Sequence, residues 1–144
     1  MRKRTRARRL AMLALYQADV LGKEFTEDTR RWLEATGRDT ELLAFAGNLF
    51  DKTLAHLADI DPLIEQAAQN WQLKRMAAVD RAILRMAVSE LTYSKDTPPK
   101  VVLNEAVELA KRYSTAASGS FVNGILDKIH KDAEKAQKAE TSET

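Results

Sequence analysis

The sequence contains no cysteine and is poor in glycine (5 residues), proline (3) and histidine (2). Without cysteine the chain forms no disulfide and offers no thiolate to a metal ion. The two histidines, His56 and His130, lie far apart in sequence, which argues against a zinc site built on a histidine pair. We therefore predict that the protein carries neither a metal nor another cofactor.

Long apolar runs are also absent, because no uninterrupted stretch approaches the ~20 residues needed to span a bilayer. The basic N-terminus leads into a patterned amphipathic segment, whereas a signal peptide would continue into an apolar run and a small-residue cleavage site. These two absences predict a cytoplasmic protein that does not associate with membranes.

Charge is distributed unevenly along the chain. The total of 23 Lys+Arg against 21 Asp+Glu gives a formal net charge of +2. Six of the first nine residues are basic, and we call this segment the N-terminal tip: Arg2, Lys3, Arg4, Arg6, Arg8 and Arg9. Without it, 17 basic residues face 21 acidic ones. The separation of charge predicts a polyanionic partner at one end of the molecule.

Nucleic acid is the first candidate for that partner. Positive charge at a helix N-terminus opposes the helix dipole, and a bound phosphate chain would remove the penalty. Five of the six residues are arginine, which pairs phosphates bidentately and stacks on exposed bases. The alternative interpretation is a solubilising tail with no ligand.

Apolar residues recur at spacings of three and four almost throughout, which predicts an all-α fold. We expect helices at 5–21, 26–37, 40–59, 62–69, 77–93, 101–113 and 119–130. Asp61-Pro62 predicts a helix start, with a cap followed by proline at the first helical position. This break divides one domain, residues 1–130, into halves of about 1–60 and 61–130. Residues 131–144 have no large apolar side chain and predict a frayed helix end and a charged flexible tail.

No catalytic constellation is visible: the chain has neither a nucleophile–base–acid set nor a phosphate-binding glycine loop. Glu105 and Glu108, with Lys111 and Arg112 one turn on, are typical of a solvated helix face with ion pairs. Glu90 falls within an apolar helical stripe. Since a buried carboxylate needs donors or a cation, we predict a structural bond from Glu90 to an arginine, a tyrosine or a helix start.

A second anion-binding place is predicted where the last helix begins. Ser118, Ser120 and Phe121 combine hydroxyl groups with an aromatic ring in the first turn. The alternative is that serine caps the helix and Phe121 packs in the core. The two interpretations are compatible, since a helix N-terminus can serve both purposes.

Four blocks of the sequence carry a family resemblance. They are RTRARRLAMLALYQAD at 4–19, RMAAVDRAILRMAVSEL at 75–91, VVLNEAVELAKRYS at 101–114 and FVNGILDKI at 121–129. Together they resemble the NusB family of transcription antitermination factors over nearly all of residues 4–130. The resemblance implies an all-α fold of two three-helix bundles packed across each other, a single RNA-binding domain and no catalysis.

The resemblance also implies partners. Members of the family bind the single-stranded boxA element of nascent ribosomal RNA leaders together with the ribosomal protein NusE. The pair joins NusA and NusG on RNA polymerase. Carried over, the implied RNA-binding residues are Arg2, Lys3, Arg4, Arg6, Arg8, Arg9, Ser118, Ser120, Phe121 and Asn123. Those implied to face NusE are Tyr16, Asp80 and Leu84. The chain departs from the family in its charged C-terminal tail and in its 114–120 loop.

Two other functions remain open at this point. NusB-like domains also precede the catalytic domains of ribosomal RNA methyltransferases, although no α/β domain or glycine-rich cofactor turn follows here. A helical adaptor that binds only protein is the other alternative. The sequence fits both a monomer and a homodimer of the free protein.

Overall fold

The computed structural model describes residues 2–143, and this part of the chain is helical without any strand. The all-α prediction is therefore confirmed. Two short 3₁₀ turns, at Lys23–Phe25 and Leu73–Arg75, join longer elements. The α-helices are α1 (Lys3–Leu21), α2 (Thr26–Glu34), α3 (Thr40–Ala55), α4 (Leu57–Ala67), α5 (Ala78–Tyr93), α6 (Pro99–Tyr113) and α7 (Ala116–Glu143).

The helices form two bundles joined through α1 and α5. In the first bundle α1 packs on α2 and α3, and in the second α5 packs on α6 and α7. α4 packs on α5 and α7, while α1 and α3 both contact α5 across the junction. Helix α1 buries several alanines, and these small side chains let neighbouring helices approach it closely. It ends at Gly22, as the sequence predicted, in a left-handed conformation (φ +106°) that favours glycine.

The predicted boundary between the third and fourth helices is wrong. α3 ends at Ala55, α4 begins at Leu57, and Pro62 lies inside α4 rather than at its start. Asp61 caps nothing, because its carboxylate accepts hydrogen bonds from the Arg85 guanidinium at 2.9 Å. The reason is burial. Ile60 and Ile64 lie one helical turn apart, on either side of Pro62, and both are in the core, so the residues before the proline belong to the same helix as those after it.

Helix α7 is longer than predicted at both ends. It runs from Ala116 to Glu143, with ion pairs one turn apart such as Lys128–Asp132 (3.4 Å) and Asp127–Lys131 (2.9 Å). Every described side chain from Lys131 onward is exposed. The flexibility of the 131–144 tail and the division of the domain into halves stay predictions. Met1 and Thr144, which those ranges include, lie outside the described residues.

Two further findings concern membrane-spanning helices and metal sites. No helix within residues 2–143 is both long enough and apolar enough to cross a membrane. No group of three or more histidine, aspartate or glutamate side chains in that range is placed to hold a metal ion.

Candidate nucleic-acid interface

The first turns of α1 divide the basic residues of the N-terminal tip between solvent and core. Arg2, Lys3, Arg4 and Arg6 are exposed, and Arg9 is half-buried. Arg8 is only 3% exposed, because it lies one turn before Met12 on the face of α1 that packs into the core. A cluster that is continuous in sequence is therefore discontinuous in space.

Arg8 forms a buried ion pair. Its Nε and Nη2 donate to the two carboxylate oxygens of Glu90 at 2.8 and 2.6 Å. Burial lowers the pKa of Arg8, but the hydrogen bond and charge of Glu90, helped by the charge of Glu105, outweigh it and raise the pKa above its ordinary value. The predicted structural bond of Glu90 is confirmed, and of the three expected partners (an arginine, a tyrosine or a helix start) the structure has the arginine. The placement of Arg8 on the RNA surface is wrong, because its guanidinium is buried and paired with Glu90.

The remaining tip residues differ in how they are paired. Lys3 lies 3.2 Å from both Asp39 and Glu41, and the hydrogen bonds that its ammonium donates to these carboxylates, first to Glu41, raise its pKa. Arg4 lies over the Phe45 ring at 4.9 Å and 3.9 Å from Asp96. Within the described chain, Arg2, Arg6 and Arg9 have no carboxylate within 4.0 Å. These three guanidinium groups are available to an external anion.

A groove of about 640 Å³ runs between the start of α1 and one face of α6, and we call it the α1–α6 groove. Arg2 and Arg9 line its α1 side, and Lys111 and Arg112 its α6 side. Glu105 is fixed in its wall, since it accepts a 2.7 Å hydrogen bond from the Thr5 hydroxyl and lies 3.6 Å from Arg8. The groove thus combines a cationic rim with oriented carboxylates.

Of the polar residues at the start of α7 that were predicted to bind RNA, Ser118 is the one that is buried. Ser118 is 5% exposed, and its hydroxyl donates to Asp80 at 3.0 Å while sharing hydrogen bonds with the hydroxyls of Ser114 and Thr115. Ser118 therefore cannot face RNA directly, which corrects its assignment. Ser120 and Asn123 are exposed and remain available.

The ring of Phe121 packs partly against the core and is half-buried. The packing alternative for Phe121 is therefore confirmed, and one part of the ring still reaches solvent.

The three residues predicted to face NusE differ in how exposed they are to solvent. Tyr16 is 37% exposed on α1 and fits a contact surface. Leu84 has no exposed surface, so its assignment as a contact residue is wrong. Asp80 has little exposed surface, and its carboxylate accepts a hydrogen bond from the Ser118 hydroxyl instead of facing a partner. Sequence reasoning missed Val20, which is 58% exposed one turn after Tyr16. The signal was present: an apolar residue at spacing i, i+4 from Tyr16 near the helix end.

Comparison with known proteins decides the family. The sequence model of the NusB family matches residues 5–131. This chain belongs to the NusB family. It is 42% identical over 139 residues to the transcription antitermination protein NusB of Anaeromyxobacter dehalogenans (strain 2CP-1 / ATCC BAA-258), covering 96% of this chain and 97% of that protein. The NusB family is non-catalytic, and this chain is a transcription antitermination protein.

Solved NusB structures have the same fold. The crystal structure of antitermination factors NusB and NusE in complex with dsRNA contains a chain 32% identical to this one, with a TM-score of 0.79, covering 92% of this chain and 98% of that one. NusB of T. maritima is 39% identical with a TM-score of 0.77, covering 89% and 90% of the two chains.

Proposed function

We propose that this NusB-family protein binds RNA through the exposed arginines at the start of α1 and the exposed first turns of α7. The observation that carries the proposal is that Arg2, Arg6 and Arg9 project from one helix end and have no carboxylate partner among the residues that the structure describes. In an otherwise acidic chain, free guanidinium groups in one place are suited to a phosphate backbone.

The proposed ligand is the single-stranded boxA element of nascent ribosomal RNA leaders, bound in the cytoplasm jointly with NusE. A similar chain occurs in a complex with NusE and double-stranded RNA, which supports both kinds of partner for this family member. The assembly then joins NusA and NusG on RNA polymerase. Unpaired bases are available for stacking on Phe121 and for hydrogen bonds to Asn123, which favours a single strand over a duplex.

The proposed NusE surface is the exposed apolar flank around Tyr16 and Val20 on α1. Tyr16 lies ten residues after Arg6, a rise of about 15 Å along the helix. RNA and NusE would therefore occupy neighbouring positions along α1, so that each partner extends the surface seen by the other. By linkage, NusE must raise RNA affinity by the same factor by which RNA raises NusE affinity.

The experiment compares Arg2→Gln/Arg6→Gln with the charge-matched control Lys128→Gln/Lys131→Gln, whose exposed lysines lie on α7. Binding of boxA-type single-stranded RNA, a scrambled strand and a duplex is measured with and without NusE at several salt concentrations. We expect the tip variant to lower the slope of log Kd against log salt by about 1.4, at ~0.7 per phosphate contact. The control should keep the slope of the native chain.

Two results would contradict the proposal. An unchanged slope in the tip variant would show that these arginines do not hold phosphates. NusE binding that is unaffected by any RNA would instead identify a protein-only adaptor. Equal affinity for duplex and single strand would restrict the proposal to backbone recognition.

A further inference from the structure

The α1–α6 groove contains basic residues with little carboxylate pairing among the described residues. Of its four basic residues, only Lys111 has a carboxylate within 4.0 Å among the described residues, and that contact, with Glu108, is long at 3.8 Å. Arg2, Arg9 and Arg112 have no carboxylate within 4.0 Å in the described part of the chain. In addition, Arg9 Nε is enclosed without a hydrogen-bond partner in the described chain. An enclosed donor of this kind is destabilising unless a ligand acceptor reaches it.

The groove adjoins the start of α7 through Lys111. A Cβ atom on Gly119 would lie 3.0 Å from Cγ of Lys111, so the α7 backbone packs directly on this lysine. Lys111 in turn lines the groove whose opposite wall is the N-terminal tip. The groove is therefore lined by one of the two segments proposed to bind RNA and adjoins the other, although α6 lies in neither of them.

Different residues of the groove lining suit a phosphate and a base. The cations stand on both sides, whereas Glu105 and Glu108 repel an anion placed between them. Asn104 and Glu108 lie one turn apart on the exposed face of α6 and offer an amide and a carboxylate to base-edge amino groups. Leu109 and Tyr113 add an apolar wall, and the volume lies within the range of ~300–1,000 Å³ typical of ligand clefts.

We propose that the α1–α6 groove seats one unstacked nucleotide of the bound RNA. Its flanking phosphates contact Arg9 and Arg112, and its base edge contacts Asn104. The inference rests on the proposed RNA-binding function and adds α6 as the element that reads a base. A Watson–Crick duplex cannot place a single base there without breaking a pair, so the groove selects unpaired RNA.

The test uses the full chain with NusE and boxA-type single-stranded RNA. In a first arm, Lys111→Gln/Arg112→Gln is compared with the charge-matched Lys128→Gln/Lys131→Gln. We expect a salt slope lower by about 0.7 in the groove variant, from the phosphate that Arg112 contacts, and an unchanged slope in the control. In a second arm, abasic nucleotides are placed at successive positions of the strand. The native chain should lose roughly tenfold affinity at the position whose base enters the groove, and Asn104→Ala should bind intact RNA roughly tenfold more weakly without a further loss at that position.

The outcomes separate this inference from the function on which it rests. If the groove variants keep the native salt slope and abasic profile while Arg6→Gln, outside the groove lining, weakens binding, the groove takes no nucleotide and RNA binding by the tip stands. If neither set of variants changes binding, both proposals fail. Because Lys111 packs on Gly119, thermal unfolding of each variant is followed, and Arg112→Gln alone provides a second variant at an exposed position.

Discussion

Arg8 and Arg9 are adjacent in sequence and differ completely in environment. Arg8 is enclosed by Glu90, Glu105 and the Phe45 ring, which its guanidinium faces at 5.3 Å. Arg9 lines an open groove and has no carboxylate partner in the described chain. A rotation of about 100° per residue is enough to move a side chain from core to surface. Residue type alone therefore does not tell which arginine binds a ligand.

The buried pair gives the first prediction. Arg8→Met leaves the Glu90 carboxylate without its cation in the core, which should lower the free energy of unfolding by about 3–5 kcal/mol. Arg8→Met/Glu90→Leu should recover most of this loss, because a pair of apolar side chains leaves no unpaired charge. Urea denaturation followed by circular dichroism measures both. Arg6→Met, at an exposed position of the same helix, is the control and should change stability little. If Arg8→Met/Glu90→Leu proves as unstable as Arg8→Met, the ion pair itself stabilises the fold.

Asp39 gives a pH prediction. Its carboxylate caps α3 by accepting the Leu42 N–H at 3.1 Å, and this bond, with the hydrogen bond and charge of Lys3, lowers its pKa below the ordinary 3.8. Because the folded-state pKa lies below the unfolded-state pKa, the stabilisation is complete above the ordinary value and is lost as pH falls through the folded-state value.

Asp39→Asn isolates that effect, since asparagine also caps helices but does not titrate. We expect the difference in free energy of unfolding between the native chain and Asp39→Asn to be largest near pH 7 and to shrink on acidification below about pH 4. Urea titrations across that range measure it. A difference that stays constant with pH would show that the charge of Asp39 contributes nothing.

At the scale of elements, one hydrogen bond holds the start of α7 on the start of α5. The Ser118 hydroxyl donates to Asp80, and both residues are nearly inaccessible to solvent. The sequence assigned these two residues to different partners, RNA and NusE, whereas the fold makes them partners of each other. This bond fixes the position of the turn that presents Ser120 and Asn123.

A double-mutant cycle tests the hydrogen bond between Ser118 and Asp80. Ser118→Ala removes the donor to a buried carboxyl group and should cost about 1–3 kcal/mol, and Asp80→Ala should cost a similar amount. Their combination should cost less than the sum, because the second change removes a bond already lost. Ser120→Ala, at an exposed neighbouring position, should stay within about 0.5 kcal/mol. Strict additivity in urea denaturation would mean that the bond is not formed in solution.

At the scale of the whole molecule, α1 belongs to both bundles. Its N-terminal half is joined to α5 through Arg8 and Glu90. Its C-terminal half is joined through Asp19, which lies 2.6 Å from Arg81 and 3.5 Å from Arg85. Arg85 continues to Asp61 on α4, so a chain of partly buried charges connects three helices. The two halves of the sequence therefore share one core.

We expect this sharing to make folding cooperative across the break at His56. Fragments 1–55 and 57–144, expressed separately, should show no cooperative thermal transition, because each would expose the apolar face that buries the other. Mixing them should restore the helical signal and a single transition in circular dichroism. A cooperative transition in either fragment alone would show that the halves are independent domains.

Sequence periodicity predicted much of this architecture. Helix α5 and the end of α6 fall within one residue of their predicted positions, and Gly22 ends α1, because these segments combine a clear apolar stripe with a local stop signal. The Asp61-Pro62 signal failed, since the burial of Ile60 and Ile64 outweighed a local preference. Of the candidate site, the exposed tip arginines were predictable, whereas the groove was not, because its walls are about 100 residues apart in sequence.

By itself, the sequence determined the helical class, the family and the concentration of positive charge at one end, since these depend on local spacing and composition. Only the tertiary structure decided which of those charges are free. Packing of α1 against α5 commits Arg8 to Glu90, and packing of α7 against α5 commits Ser118 to Asp80. Whether a polar group is satisfied depends on which distant groups surround it, and the chain acquires those neighbours only when it folds.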